Sequence, residues 1–475
     1  MGYDVVIIGS GLGGLICGSL LAREGMRVLV LERQAQPGGC MQSYQRDGFA
    51  LDTGLHYVGG LAEGQPLHRV FSHLGLMKLP WVRLDADGFD RVTIGRQTFP
   101  LAEGYDRFVD TLSDYFPQER EALKQYVELM RHLPPMEEIG TVSAYEWLKS
   151  LFHDQLLINV LSGPALKMEL RTESLPLFTF AHGMSNYIAS SWRLRGSGHL
   201  LVHSLVSDIT RLGGKVICHS EVNKMVEQEG RIVAVQCTKG DCYEGNMFIS
   251  DVHPQVTFGW LDESHLLKKT FRRRISAMEN SFGMFTVSLI LRKGELPYFN
   301  HNKYVYRKPN VWTFHQDVGG VGGVMISCRV PEEGNHARQI DLMTPMSWTL
   351  CEPWTNTSVG RRGEIYEMLK KHLADECIRL AERSIPGLRG MVEKYYTSTP
   401  LTYRDYTLTP CGSAYGIRKD YRNLLMTTLS PRTPIPNLLL TGQNLILHGV
   451  EGVTRTALMT CGELLGKDYL QTFTK

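Results

Sequence analysis

Apolar residues along the chain form two kinds of run, and the difference predicts which layer each segment joins. Val5-Val6-Ile7-Ile8, and the run from Met26 to Leu31, are short, continuous and without a polar face, as strands buried on both sides must be. Between them the residues from about Leu12 to Glu24 form a helix, with Gly25 placed to cap its C-terminus. Strand, helix and strand in that order predict a parallel βαβ unit. Further on, apolar positions recur at three and four across Tyr105 to His132 and Ser143 to Ser162, which predicts helices; Leu200 to Leu212 is an amphipathic helix ended by Gly213-Gly214. Three β-rich runs follow, Lys215 to Met225, Arg231 to Thr238 and Tyr243 to Ser250, joined at Glu229-Gly230 and Lys239-Gly240-Asp241, the chemistry of a meander. From about Val256 to Glu393 the pattern becomes long strands, Met284 to Leu291 and Val324 to Val330, with one long helix, Gly363 to Arg383. That mixture suits an antiparallel sheet with helices on one side.

The junction of the first strand and helix reads Gly9-Ser10-Gly11-Leu12-Gly13-Gly14. Gly9 allows the tight turn, Gly11 lets a pyrophosphate approach bare backbone, and Gly14 brings the helix close to the strand. The helix N-terminus at Leu12 offers unpaired N–H groups to a diphosphate. Glu32 ends the second strand, where a carboxylate accepts hydrogen bonds from ribose hydroxyls. A glycine triplet alone is an ordinary turn; strand, triplet, helix, strand and terminal acid together predict a dinucleotide site. Val318-Gly319-Gly320-Val321-Gly322-Gly323 lacks that context, because Met325 stands at the third glycine and a strand follows. No dedicated NAD(P) domain is predicted.

Length and composition narrow the class. The chain has 475 residues, 43% hydrophobic and 21% charged, enough for two or three cores, and a net charge of +2 argues against a nucleic-acid groove. Its ten cysteines lack metal-ligand spacing and read as reduced thiols. The first strand follows Met1 almost at once and no long uncharged apolar window exists, which predicts a cytoplasmic protein, or one lying on a membrane at most.

Arg33 to Gly39 continues with the pair Gly38-Gly39, suited to a loop against something flat or charged. Ser43 to Val58, SYQRDGFALDTGLHYV, reads as a hairpin turning at Asp47-Gly48. Glu32 followed by PGG, and then FALDTGLHYVGG, resembles the opening of the FAD-dependent phytoene desaturase, carotenoid isomerase and retinol saturase group within the flavin amine oxidase superfamily. Glu221-Val222 ahead of the meander, Thr399 to Tyr406, Gly412 to Gly416, and Thr441-Gly442-Gln443-Asn444 with His448 to Val453 continue the resemblance in order. It implies an α/β chain: a Rossmann-type FAD-binding domain with parallel sheet and meander from 1–75, 190–255 and 397–475, and a discontinuous α+β substrate domain from 76–189 and 256–396. It implies FAD held by Gly9, Gly11, Leu12, Gly14, Glu32, Arg33, Gly38, Gly39, Val222, Gly442, Gln443, Asn444, Gly452 and Val453. Asn444 stands where the family often has an acid, and the helix after Gly452 is expected to aim N–H groups at the flavin ring.

No nucleophile elbow, metal set or paired carboxylates stand out, which agrees with hydride moving directly between a substrate carbon and a flavin. The resemblance implies saturation, desaturation or isomerisation of double bonds in an apolar polyene or isoprenoid. His56 and Tyr57 are expected at the flavin face, with Arg404, Tyr406 and Tyr415 lining the far side. Each has an ordinary alternative, a packing tyrosine or a backbone-bonded histidine. Phe178, Phe180, Met184 and Tyr187 wall an oily channel or simply fill core. His448 and Glu451 fall near the terminal helix start. Two rivals share the scaffold: a flavin amine oxidase, and a non-catalytic chaperone of prenylated proteins, against which the intact glycines and Glu32 argue.

Overall fold

In the computed structural model, which describes residues 2–261, 264–316 and 320–474, two seven-stranded sheets divide the hydrophobic residues between them. The first is built around Tyr3–Ile8, which pairs in parallel with Val28–Leu31 and with Cys242–Ser250, so that Ile7 faces Val30 and Ile249. Lys215–Ile217 and Leu438–Leu440 extend the parallel set at its two ends. Successive side chains of a strand point to opposite faces. Val5, Ile7, Val28 and Val30 therefore join the core beneath helices Leu12–Arg23, His199–Arg211 and Gly449–Leu465, while Val6, Ile8, Leu29 and Leu31 join Phe248 and the meander. Burial on both faces is why these strands carry no polar alternation, and each such side chain contributes about 1.5–3 kcal/mol.

The segment expected as one strand, Lys215 to Met225, is two. Lys215–Ile217 ends beside Leu31, and Val222–Gln228 starts the antiparallel meander with Arg231–Cys237. His219 bridges them with a positive φ of 57°, and the crossing is fastened where Ser220 N–H donates to the carbonyl of Glu32 (2.8 Å). Glu229 and Gly230 both take positive φ, the hairpin turn their sequence predicts.

The second sheet runs Val392–Ser398, Gly283–Leu291, Gln339–Met346, Gly323–Cys328, Asn302–Tyr306, Asp90–Ile94, Gln97–Leu101. It is antiparallel except where Asn302–Tyr306 runs parallel to Asp90–Ile94. Helix Glu364–Ala381 covers one face through Phe285, Val287, Ile326 and Cys377. The other face carries Met284, Tyr304, Met325 and Met343 against the helices between Tyr105 and Ala189. The two long helical stretches are each divided. Pro117 separates Tyr105–Ser113 from Arg120–Arg131, and Asp154 caps Gln155–Ser162 after Ala144–Leu151 has ended. Asp47 and Gly48 turn the hairpin Ser43–Arg46 and Phe49–Asp52 as expected. Of the second glycine-rich stretch, Val318 and Gly319 lie outside the described residues, and Gly323 opens a strand.

Candidate functional site

A cleft runs along the C-terminal edge of the parallel sheet, lined by Gly9, Ser10, Gly11, Leu12, Glu32, Arg33, Gly39, Val222, Gln443 and Val453 among others. Backbone builds most of it. A Cβ at Gly14 runs into the carbonyl oxygen of Gly9, so the helix can lie this close to the strand only with glycine there. A Cβ at Gly39 comes within 3.0 Å of the Cα of Gly11, which presses the Gly38-Gly39 loop onto the glycine-rich turn. Gly38, at φ 124°, donates its N–H to the carbonyl of Ser10 (3.0 Å). Helix Leu12–Arg23 has Gly11 at its N-cap, with no capping side chain and no acid in its first turn, so its leading N–H groups face the cleft.

Glu32 is buried and fixed in place. Its Oε1 accepts the N–H of Gln34 (2.7 Å), and its Oε2 accepts both the N–H of Ser10 (3.3 Å) and the Ser10 hydroxyl. Arg33 turns aside, bonding Glu221 (3.3 Å) and the carbonyl of Asp405. Positive charge at the phosphate position thus comes from a helix end.

Two residues that the sequence did not single out complete this end of the site. Asp251, just past strand Cys242–Ser250, is the side chain that Cβ atoms at Gly11, Gly13 and Gly442 would strike. Burial pushes its carboxyl up to about 7, against the lowering effect of the Gly14 N–H it accepts. An acid at the C-terminal end of a central parallel strand was the available signal, because ligands of such sheets gather there. Lys419 is buried too, and its Nζ donates to the carbonyls of Thr427 (2.8 Å), Asn444 (2.9 Å) and Leu445 (2.9 Å). Burial draws its ammonium down to about 7 while the three carbonyls favour the charged form. Asn444 in turn accepts the N–H of Ile417 on its side-chain oxygen (3.2 Å), so that amide holds the 416–417 segment.

The terminal helix starts at Gly449, three residues before Gly452, with His448 at its N-cap and no side-chain cap. Gly449 and Val450 border both the cleft and a second, smaller cavity of about 150 Å³. Gly452 lies inside the first turn and packs on Leu447, where a Cβ would come within 2.6 Å.

That smaller cavity lies between the second sheet, the helical layer and the start of helix Gly449–Leu465. Met168, Met284, Met325, Met343, Leu166 and Leu447 give it an oily wall; His56, Tyr57, Tyr187, Tyr415, His448 and Glu451 complete it. Met325 lies directly opposite Met343 in the second sheet, which is how strands distant in sequence supply one patch. Tyr57 presents its ring, 4.4 Å from that of Tyr187, while its hydroxyl points away to Asp90 (2.9 Å) and Tyr304 (2.8 Å). His56 sits 3.8 Å from Asp341, whose other partners are Ser288 (2.6 Å) and Arg329, and Arg329 also binds Asp52 (2.8 Å). Burial lowers His56 to about 4, with Asp341 opposing, so the imidazole is neutral near pH 7. The Tyr415 ring lies 4.8 Å from that of His448, tilted by 44°. Glu451 brings a carboxyl to this wall; burial raises its pKa, and Arg455 at 3.4 Å partly offsets the rise.

His56, Tyr57 and Tyr415 are therefore together in one cavity, and Arg404 and Tyr406 are elsewhere. Arg404 bonds Asp405 (2.7 Å) and the carbonyl of Thr355 (2.7 Å) and lies over Trp348; Tyr406 is 45% exposed at the outer rim of the dinucleotide cleft. Of the four expected channel residues on helix Leu177–Ala189, only Tyr187 borders the cavity. Phe180 packs toward Trp312 and Met184 is core, because the cavity face of that helix is Thr179, His182, Gly183 and Asn186. Aromatic content marked the right helix and the wrong side of it.

Residues 7–74 match the family described as an NAD(P)-binding Rossmann-like domain. Among characterised proteins, the chain is 26% identical to an all-trans-retinol 13,14-reductase of Rattus norvegicus across 98% of this chain and 86% of that protein. It is 25% identical to a prolycopene isomerase of an Oncidium hybrid cultivar across 87% of this chain and 75% of that one. Among solved structures, putrescine oxidase bound to putrescine superposes with a TM-score of 0.66, at 16% identity, covering 98% of this chain and 100% of that one.

Proposed function

We infer that this chain, a relative of the retinol reductases and prolycopene isomerases, is an FAD-dependent oxidoreductase acting on carbon–carbon double bonds of a long apolar polyene or isoprenoid. One observation carries the reading: the first turn of helix Gly449–Leu465 is shared by the dinucleotide cleft and a methionine-walled cavity, so a flavin ring reaching from one meets an apolar substrate in the other. The cleft fits the cofactor. Its glycines leave room for a pyrophosphate, two helix N-termini whose N-cap residues supply no side-chain cap face it, and Glu32 is poised for an adenosine ribose.

Bound FAD supplies a ring nitrogen that takes or gives hydride. The chain does the rest. Free N–H groups at Gly449 and Val450 favour negative charge on a nearby ring. Met284, Met325 and Met343 are unbranched and polarisable, so they mould to an extended chain and exclude water. Glu451, whose carboxyl burial raises above the ordinary range while Arg455 opposes the rise, is the proton-exchanging group on the cavity wall beside that chain. His56 and Tyr57 shape the cavity, with His56 neutral and the Tyr57 hydroxyl already engaged.

The test is anaerobic mixing of photoreduced holoprotein with all-trans-retinol or a carotenoid and, separately, incubation of the oxidised holoprotein with putrescine in air. Return of the oxidised flavin band with the polyene, together with a change in the polyene spectrum, is expected. Oxidation of amine with release of hydrogen peroxide, and no response to polyenes, would overturn the assignment.

A further inference from the structure

The residue after strand Cys242–Ser250 is an acid in a place suited to another anion. Asp251 donates its N–H to the carbonyl of Ile8 (2.9 Å), and Thr441 donates to the carbonyl of Ser250 (2.9 Å), so the parallel sheet itself fixes the backbone here. The side chain is half-buried and borders the cleft. Its carboxyl lies in a notch between bare backbones: a Cβ at Gly13 would come within 2.7 Å of it, and Cβ atoms at Gly11 and Gly442 would strike it more closely still. It also accepts the N–H of Gly14, in the first turn of helix Leu12–Arg23. The glycines and the helix end that suit a diphosphate therefore already hold a carboxyl.

The groups around it decide which form that carboxyl takes beside a diphosphate. Burial is the largest influence and lifts it to about 7; the Gly14 N–H opposes the rise, and Glu32, at the end of the neighbouring strand, adds to it. No lysine or arginine among the described residues offsets the charge, since Arg33, which also borders the cleft, is turned to Glu221 and the carbonyl of Asp405. The Cys40 thiol on the adjoining loop is pushed by burial to about 11 and stays neutral. His253, two residues on, is engaged with Asn280 (2.8 Å) and lowered by burial to about 4, so it is neutral as well. A diphosphate entering the notch brings negative charge and expels water, and both effects favour the neutral acid. On the cofactor reading above, we propose that Asp251 is a cofactor-binding residue that acts in its protonated form, taking a proton from solvent as FAD enters and donating a hydrogen bond to a diphosphate oxygen. FAD binding is then coupled to proton uptake.

The experiment follows FAD leaving the holoprotein on dilution, read by the return of free-flavin fluorescence from about pH 6 to about pH 9, with an indicator dye in weak buffer counting protons. In wild type the affinity is level below about pH 7 and falls about tenfold for each pH unit above it; each FAD released there frees close to one proton, against almost none at about pH 6. Asp251→Asn keeps the shape, an acceptor for Gly14 and a donor for phosphate, but cannot titrate. Its affinity changes less than about threefold over the range and exceeds that of wild type at about pH 9 by about tenfold or more. Asp251→Ala is level in pH too, and far-ultraviolet circular dichroism confirms that each variant is folded throughout. Lys419, drawn by burial to about 7, titrates in the same window, so a slope that survives Asp251→Asn belongs to Lys419 and overturns the proposal. Wild-type affinity that is level in pH, with no proton released, overturns it as well. Both of those outcomes leave FAD in its cleft, whereas a chain that carries no FAD at any pH contradicts the cofactor reading and this proposal with it.

Discussion

The cleft and the oily cavity meet at one helix end but are built on opposite terms. The cleft is made of backbone: glycines held together by close approach, two helix N-termini, and carboxylates that orient loops. The cavity is made of side chains carried in from strands, helices and loops far apart in sequence, five of them flexible methionines. A backbone site tolerates almost no added atom, whereas a methionine wall adapts. Cofactor binding should therefore fail abruptly under substitution and substrate binding gradually.

The sharpest way to break the comparison is Gly14→Val. Its side chain cannot coexist with the Gly9 carbonyl, and the expected result is protein without flavin at any added concentration; a variant that binds FAD normally would show that the turn yields. Next comes Glu451→Gln, which keeps shape and removes the titrating group. The flavin spectrum and affinity stay as they were, and kcat for double-bond reduction drops by about 10²-fold or more if Glu451 passes the proton. A drop below threefold assigns the carboxyl to helix-dipole complement alone.

Lys419→Met sharpens the cleft side. Three carbonyls lose a donor, at about 1–3 kcal/mol for a buried orphan, and two of them belong to the 444–445 segment. FAD affinity measured by flavin fluorescence is expected to weaken at least about tenfold, with far-ultraviolet circular dichroism retained. Met343→Ala gives the smallest effect, a few-fold rise in substrate KM with flavin content unchanged, because Met325 and Met284 can move into the space.

Acid acts on both regions. His56 and His253 are lowered by burial to about 4 and His182 to about 3, from 6.5 in an open chain, so each is neutral in the fold and its contribution to stability is complete above pH 6.5. That contribution is lost as pH falls from 6.5 through 4, and on through 3 for His182, at no more than about 1.4 kcal/mol for each tenfold loss of proton affinity on folding. Thermal melts should show Tm declining across that window, and His182→Asn should flatten the decline.

Local order was legible in the sequence wherever chemistry and spacing coincide within a few residues. The triplet with Glu32, the Asp47-Gly48 and Glu229-Gly230 turns and the buried strand runs all formed where their residues predict. The resemblance to the FAD-dependent desaturase, isomerase and saturase group, carried by LDTGLHYVGG and its companions, agrees with the relatives found. Side-chain direction was not legible. Arg404 belongs to a surface network, Tyr57 turns its hydroxyl into the second sheet, and the Phe-rich helix shows the cavity its less aromatic side. Lys419 carries no local sign of its task, since its acceptors come from segments 8 to 26 residues away. The Met325–Met343 pair exists only once strand register is set.

The most direct measurement is the flavin content of the purified chain, by visible spectrum and by chromatography of the nucleotide released on denaturation. One FAD per chain is predicted, falling to none in Gly14→Val. Colourless protein that takes up no added FAD would contradict the account at its root.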